Sequence, residues 1–262
     1  MKFSLRLNND LPVADYVRIA QAAERAGFDQ IWVSDDLFLR SAPVILSAVA
    51  VATTRIEIGT CIVNPYTLHP AEMAMMAATL DELSGGRFNL GLSSGAADFL
   101  KWIDITPEKP LKAVVDCVRA INALFNGEPI PGWEADAYLR FKPLRRVPIY
   151  IGAMSPNMLK AIGEFADGGL PLLFPPEHYE TVLPFIQAGA AKAGRDLSQI
   201  DVAACIWCCI GADDGPLREK VAYYGHALSP LIWDRLGLTR DDFSAIEHAV
   251  MTERDMEKAK SL

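Results

Sequence analysis

The sequence predicts an α/β fold in which parallel strands alternate with helices along one chain. Short apolar runs bounded by turn residues recur throughout, and segments with apolar residues at helical spacing separate them. Strands joined through helices form right-handed parallel crossovers. Seven such strands fit either a doubly wound sheet or a (β/α)8 TIM barrel. The barrel is the leading prediction, because no G-x-G-x-x-G follows the first strand.

The predicted strands are short apolar segments that end at polar or small residues. They span residues 3–7, 30–34, 56–62, 88–92, 148–152, 170–174 and 201–211. We assign residues 1–262 to one barrel domain whose eighth strand is missing from this sequence. The charged last residues of the chain have a pattern that is typical of the interior of a helix. Since a closed barrel needs eight strands, we expect the natural chain to continue past Leu262 with a helix, a strand and a final helix.

Proline at the first turn and glycine after the last turn mark the predicted helices. The first helix begins at Pro12 and is stopped by Gly27, and Asn126-Gly127 ends a later one. Further helices are predicted over residues 43–52, 71–83, 111–125, 157–166 and 177–193, and over most of the chain after Asp214. The Pro-rich connection 128–147 is too irregular to assign.

Composition excludes several classes of protein. The 262 residues are 51% hydrophobic, which is ordinary for a globular chain, and carry a net charge of −8. An acidic surface argues against general binding of nucleic acid or anionic membranes. The first residues are too few and too polar for a signal peptide, and no apolar run reaches the length of a membrane span. An odd number of cysteines, five, indicates reduced thiols and a cytoplasmic location.

The cysteines and histidines of this sequence do not form a metal-binding motif. Cys205-x-x-Cys208 lies in an apolar run that is typical of a buried strand, and no second pair has ligand spacing. We therefore expect these thiols to pack and predict no metal site. The histidines also lack ligand-spaced partners and are interpreted as surface or packing residues; they are His69, His178, His226 and His248.

In a barrel, the active site lies at the carboxyl ends of the strands. Asp35-Asp36 follows the second predicted strand, and is either a helix cap beside a solvated acid or a pair that holds a ligand and carries a proton. Ser93-Ser94-Gly95 follows the fourth strand, and Ser155-Pro156-Asn157 opens a helix after the fifth. Two small-residue turns at one rim favour a phosphate-bearing cofactor.

Several segments together resemble a known family. They are Gly59-Thr-Cys-Ile-Val-Asn-Pro-Tyr66, Ala78-Thr-Leu-Asp-Glu-Leu-Ser-Gly-Gly-Arg87, Val147-Pro-Ile-Tyr-Ile-Gly-Ala153 and Ile200-Asp-Val-Ala-Ala204. Over nearly the whole chain the sequence resembles the bacterial-luciferase-like superfamily. Within that superfamily it is most similar to the coenzyme F420-dependent branch, especially the methylenetetrahydromethanopterin reductases.

The resemblance implies a luciferase-like TIM barrel that binds a deazaflavin at its rim and transfers a hydride between the deazaflavin and a substrate carbon. Asp35 and Asn64 would hold the ring system. A bulge with a cis peptide bond between Cys61 and Ile62 would press on the back of the ring. The full set of implied cofactor-binding residues is Asp35, Cys61, Ile62, Asn64, Ser94, Gly95, Met154, Ser155, Asn157 and Met158.

Three positions depart from the pattern of these relatives. Asp36 replaces a common histidine, Ala96 a common carboxylate, and Arg6 the strand-one glutamate of the pterin reductases. Each position is tied to proton handling or substrate contact, so cofactor binding carries over better than the pterin substrate does. We propose Asp36 as the catalytic proton carrier or orienting residue.

The predicted function is an F420-dependent oxidoreductase acting on a small organic substrate, with a methylenetetrahydromethanopterin-like pterin as one candidate. Two alternatives stay open. One is an FMN-dependent luciferase-like monooxygenase, which would use reduced FMN and oxygen. The other is a flavin- or deazaflavin-binding protein without turnover. We expect a homodimer or higher homo-oligomer that binds neither nucleic acid nor membrane.

Overall fold

One parallel sheet organises the molecule, as a computed structural model shows. The structure describes residues 1–171, 179–209, 211–228 and 230–262. Within these ranges seven strands pair in sequence order, all parallel, with β1 and β7 at the two edges. Their bounds are β1 Ser4–Leu7, β2 Gln30–Val33, β3 Glu57–Thr60, β4 Phe88–Leu92, β5 Ile149–Ala153, β6 Gly168–Pro171 and β7 Asp201–Val202.

Helices cover the outside of the sheet and build the end of the chain. The helices of the described residues are α1 Val13–Arg25, α2 Ala42–Ala52, α3 Pro70–Ser84, α4 Ala97–Lys101, α5 Pro110–Asn126, α6 Pro156–Phe165, α7 Tyr179–Lys192, α8 Gly215–Tyr224, α9 Pro230–Leu236, α10 Ser244–His248 and α11 Met256–Ser261. Caps explain several of their ends. The His69 side chain accepts a hydrogen bond at the start of α3, and Gly85 and Gly127 end α3 and α5 in the left-handed conformation.

Two separate apolar layers lie on the two faces of the sheet. The larger packs strands against helices and includes Ile31, Leu90 and Ile151. The smaller lies on the opposite, concave face, which is the lumen of the barrel, and comprises Trp32, Cys61, Tyr150 and Leu170. Side chains in a strand alternate between faces, so the strand positions that pair with Trp32 also face the lumen.

Glycine and aromatic residues complement one another inside the lumen. A Cβ atom at Gly59 would overlap the Trp32 ring, and a Cβ at Gly168 would overlap the Tyr150 ring. The two aromatic rings meet edge to face with centroids 5.0 Å apart. The floor of the lumen is therefore filled by two large side chains that occupy the space left by two glycines.

A polar network closes the floor beneath these rings. Glu57 accepts hydrogen bonds from Gln30 at 2.7 Å and Asn89 at 2.9 Å. The Lys2 ammonium, just before β1, lies 3.2 Å from Glu57 and 3.8 Å from Asp201 of β7. The Lys2–Asp201 contact brings the residue just before β1 close to β7, so the sheet curls toward closure at this end.

A buried ion pair fixes the connection that has no regular pattern in the sequence. Asp81 on α3 is 1% exposed, and its Oδ1 accepts from Nη2 of Arg145 at 2.8 Å and from Nε at 3.1 Å. Arg145 also donates to the carbonyl oxygen of Phe88 at 3.0 Å. The arginine thus joins the irregular 128–147 segment to α3 and β4.

The prediction for the last strand is wrong, because the strand is much shorter than predicted. Strand β7 ends at Val202, and residues 203–209 are irregular, with Cys208 exposed and Cys205 partly buried. The expectation that both thiols lie in a buried strand is therefore corrected. The physical reason is that β7 is an edge strand whose pairing with β6 covers only two register positions. The predicted strand 170–174 begins earlier, at Gly168, and its residues 172–174 lie outside the described residues.

Helix α4 was not predicted, since its five residues follow the small-residue turn directly and no side chain caps its start. Elsewhere the predicted strands and helices agree with the structure to within about two residues at each end, a normal difference. In the described part of the chain, no helix is both long enough and apolar enough to cross a membrane.

Candidate active site

Polar side chains gather at the carboxyl ends of the strands, beside a cleft of about 340 Å³. The cleft is walled by the segments that follow β1 and β2 and by helices α4 and α8. Its lining residues are Asn8, Asp10, Asp36, Leu37, Phe38, Leu39, Phe99, Trp102, Glu219, Lys220, Tyr223 and Tyr224. This is the end of the barrel at which parallel α/β barrels bind their substrates.

The two adjacent acids have different surroundings. Asp35 Oδ1 accepts a hydrogen bond at 2.8 Å from the backbone N–H of Ala42, the first residue of α2. Burial raises the pKa of Asp35. Asp36 instead lines the cleft. The structure thus places Asp35 at a helix start and Asp36 toward the candidate site; a contact of Asp35 with a ring system stays a prediction.

Asp36 lies in a setting suited to proton handling. Burial raises its pKa, while the Arg6 guanidinium and the Ser34 hydroxyl oppose that rise. The fully buried Asn9 holds the Asp36 backbone, because its Nδ2 donates to the Asp36 carbonyl at 3.0 Å and its Oδ1 accepts from the Asp36 N–H at 3.3 Å. Sequence reasoning missed Asn9, although its position directly after the first strand could have indicated it.

The chain bulges inward after β3. The peptide bond between Cys61 and Ile62 is cis, which is the geometry that the resemblance implied. Cys61 is buried, and burial raises the pKa of its thiol to about 11. The thiol is therefore protonated at neutral pH and does not act as a nucleophile. The Ile62 side chain packs against β5, where a Cβ at Gly152 would lie 3.1 Å from it.

Asn64 and Gly95 bring the ends of β3 and β4 together. Asn64 is buried, and its Oδ1 accepts from the backbone N–H groups of Tyr66 and Thr67, both at 3.1 Å. Gly95 has a φ of +74°, and a Cβ there would lie 3.1 Å from Asn64 Cγ. The Ser94 hydroxyl lies beside the Gly95 carbonyl. Glycine is thus required both by the backbone conformation and by the close approach of Asn64.

Replacing Gly95 with alanine is expected to lower the free energy of unfolding by about 1–2 kcal/mol for the backbone strain, with a further loss from displacing Asn64. The matched control is Gly27→Ala. Gly27 has a φ of +87°, but no atom of the described residues lies within 4 Å of the position that an alanine Cβ would occupy there. Urea unfolding of both variants measures the difference. Equal losses would contradict a role for the Asn64 contact.

The turn after β5 lies next to the turn after β4. The Ser93 hydroxyl donates to the Gly152 carbonyl at 2.7 Å, which joins the two segments. Ser155 caps α6, since its Oγ accepts from the Met158 N–H at 3.4 Å. Ser155 and Asn157 are exposed, Met154 is partly buried and Met158 is buried. The ten-residue helix α6 therefore directs an accessible first turn toward this rim.

Helix α8 adds side chains that sequence reasoning did not connect with the site. Lys220, Tyr223 and Tyr224 all line the cleft. Burial raises the pKa of Tyr224 to about 12, so its phenol stays neutral. No local signal marks these residues, because they reach the rim only through the packing of the distant end of the chain.

Aromatic rings form the upper wall of the cleft. Phe99 and Trp102 stack with centroids 4.8 Å apart, and Phe38 lies 6.1 Å from Trp102. Tyr223 and Tyr224 meet at 5.1 Å on the facing helix. A second open cleft of about 700 Å³ shares Phe38, Trp102 and Tyr223 with the first. Stacked rings at a cleft mouth suit a planar ligand.

The histidines lie outside this cleft where the structure describes them. His69 caps α3 and stacks on Trp133 with centroids 5.1 Å apart. His226 lies in a short 3-10 turn and His248 at the end of α10, while His178 lies outside the described residues. Among the described residues, no group of three or more His, Cys, Asp or Glu side chains is placed to hold a metal ion.

The parallel sheet and the polar rim together define a class of protein, and comparison with known protein families identifies that class. The family model described as luciferase-like monooxygenase matches residues 2–260. The chain belongs to this family.

Individual relatives show which members of the family this chain resembles. A 5,10-methylenetetrahydromethanopterin reductase of Archaeoglobus fulgidus is 32% identical over 95% of this chain and 78% of the relative. An F420-dependent glucose-6-phosphate dehydrogenase of Microbacterium testaceum is 29% identical over 88% of this chain and 72% of its own. Among solved structures, the coenzyme F420-dependent tetrahydromethanopterin reductase of Methanopyrus kandleri superposes with a TM-score of 0.84 at 28% identity, covering 99% of this chain and 82% of that one.

Proposed function

We propose that this protein is an F420-dependent oxidoreductase that transfers a hydride between the 5-deazaflavin coenzyme and a small organic substrate. Relatives that cover most of the chain are named as F420-dependent enzymes. The observation that carries the proposal is the adjacency of two rim segments, the Gly95 turn and the start of α6, at the end of the barrel where the substrate cleft opens.

The residues present fit a phosphate-bearing ring system. Gly95 keeps the rim beside Asn64 free of a side chain, and the first turn of α6 offers the backbone N–H of the exposed Asn157. Asn64, Ser94 and Gly95 would hold the ring, and residues 154–158 the phosphate. The buried bulge at Cys61 and Ile62 would form the wall behind the ring.

When bound, the deazaflavin supplies a carbon centre that donates or accepts a hydride. The chain positions the substrate against it. Phe99, Trp102 and Tyr224 cover the cleft with apolar surface, which excludes water from the reacting carbons. Asp36 is the group we propose to take up or release a proton at its carboxyl oxygen, and burial raises the pKa of that carboxyl. Asn9 keeps Asp36 in place through two hydrogen bonds to its backbone.

We further propose a cytoplasmic homo-oligomer, for which the reduced cysteines favour the location. The first substrate to test is a methylenetetrahydromethanopterin-like pterin, because several relatives are named as reductases of that compound.

Titration of the purified protein with F420 and with FMN tests the proposal. We expect F420 to quench tryptophan fluorescence saturably at micromolar concentration and FMN to bind more weakly, and the quench to diminish in Trp102→Phe. The control is Trp133→Phe, since Trp133 stacks on His69 away from the cleft. Tight FMN binding with oxygen consumption would favour the monooxygenase instead. Tight F420 binding without turnover of any carbonyl or imine substrate would indicate a non-catalytic binding protein.

A further inference from the structure

A charged side chain lies inside the barrel without a matching ion pair among the described residues. Arg6 on β1 pairs in register with Trp32, so its side chain faces the lumen. Its Nη1 donates to Asn8 Oδ1 at 2.7 Å, and Asn8 lines the cleft. The guanidinium is therefore in direct contact with a residue of the cleft wall.

The hydrogen bonding of Arg6 is incomplete. Its Nε is buried and has no hydrogen-bond partner within the described part of the chain. A guanidinium has five N–H donors in a planar fork, and a buried donor without an acceptor costs free energy. The side-chain partners of Arg6 include the neutral Asn8 amide and the Cys61 thiol, which burial keeps protonated. Neither supplies a negative charge.

The Arg6 guanidinium stays positively charged although burial disfavours a charged group. Burial works against the cation, but Cys61, Tyr224, Cys205 and, to the smallest extent, Asp36 outweigh burial and raise the pKa of Arg6. Asp36 does not form an ion pair within 4 Å with Arg6 among the described residues, and burial raises the pKa of that carboxyl as well. Arg6 is only partly buried, and Asn8, to which it donates a hydrogen bond, lines the cleft.

We propose that Arg6 is the receptor for a carboxylate on the substrate, which makes the preferred substrate a small organic acid; this rests on the proposed oxidoreductase function. A planar carboxylate matches the guanidinium fork with two parallel hydrogen bonds. A phosphate is a poorer match, because Asp10, Asp36 and Glu219 also line the cleft and would repel a second negative charge. The aromatic wall favours a planar or unsaturated acid.

Binding of benzoate and of its neutral isostere benzamide tests the assignment, measured by calorimetry on the full chain with and without F420. We expect the wild-type protein to bind benzoate about 10–100-fold more tightly than benzamide. Arg6→Gln should remove that preference while leaving benzamide binding unchanged, and Arg6→Lys should restore part of it. Arg18→Gln is the matched control, since Arg18 is an exposed arginine on α1.

Each outcome decides the proposal. Equal wild-type affinities for benzoate and benzamide would overturn it, and this comparison requires no variant to fold. Tighter binding of inorganic phosphate than of benzoate would overturn the choice of carboxylate. If Arg6→Gln loses F420 affinity and keeps its benzoate preference, the guanidinium serves the cofactor instead. Failure of the wild-type protein to bind F420 would remove the proposed function but not the benzoate result.

Discussion

Asp36→Asn is expected to reduce kcat by about 10²–10⁴ while changing F420 affinity by no more than a few-fold. The amide keeps the size of the side chain but cannot take up or release a proton as a carboxyl group does. Because burial raises the pKa of Asp36, its protonated form persists to higher pH than that of a free aspartate. If Asp36 acts as an acid, wild-type kcat falls above that pKa, and the variant lacks this dependence.

Asp10→Asn is the matched control, because Asp10 also lines the cleft and the chemical substitution is the same. Its kcat should stay close to that of the wild-type protein. Stopped-flow measurement of hydride transfer, together with equilibrium F420 binding, separates chemistry from affinity. Unchanged turnover in Asp36→Asn would assign Asp36 to a solvated position and leave catalysis to the positioning of substrate and coenzyme.

Arg145→Met is expected to lower the free energy of unfolding by about 3 kcal/mol at neutral pH, because it leaves the Asp81 carboxylate buried without a counter-charge. Asp81 is 1% exposed, whereas the Arg145 side chain is 38% exposed. The loss of stability should therefore come almost entirely from the buried Asp81 carboxylate that is left unpaired.

The next residue provides the control. Arg146 pairs with Asp167 at 2.8 Å, but both side chains are substantially exposed, at 41% and 31%. Arg146→Met should therefore lower the free energy of unfolding by less than about 1 kcal/mol. Urea unfolding at neutral pH measures both variants. Similar losses for the two arginines would contradict the interpretation.

Strands enclosed on both faces were predictable from sequence, and the edge strand was not. Strand β4 has the predicted bounds, Phe88–Leu92, because a strand covered by neighbours on every side needs a continuous apolar run. Residues 203–209 have a similar apolar run, yet they are irregular and at most partly buried. Apolar composition alone does not show whether a partner strand is present to continue the ladder.

The candidate site was predictable where it depends on neighbours along the chain. Asp36, Asn64 and Gly95 all follow strands, and strand ends define the rim. The different roles of Asp35 and Asp36 were not predictable, because they depend on which carboxylate reaches the Ala42 N–H. Lys220 and Tyr224 were also missed, since only tertiary packing brings helix α8 over the cleft.

The paired fit of Gly59 to Trp32 and of Gly168 to Tyr150 bears on how this protein can evolve. Any side chain added at either glycine would require a smaller ring opposite it in the same step, so single substitutions in the floor of the barrel should be poorly tolerated. Phe38 and Trp102, by contrast, are exposed at the upper wall. Laboratory selection for a new substrate should therefore accumulate changes in the segment after β2 and in α4, and leave the floor unchanged.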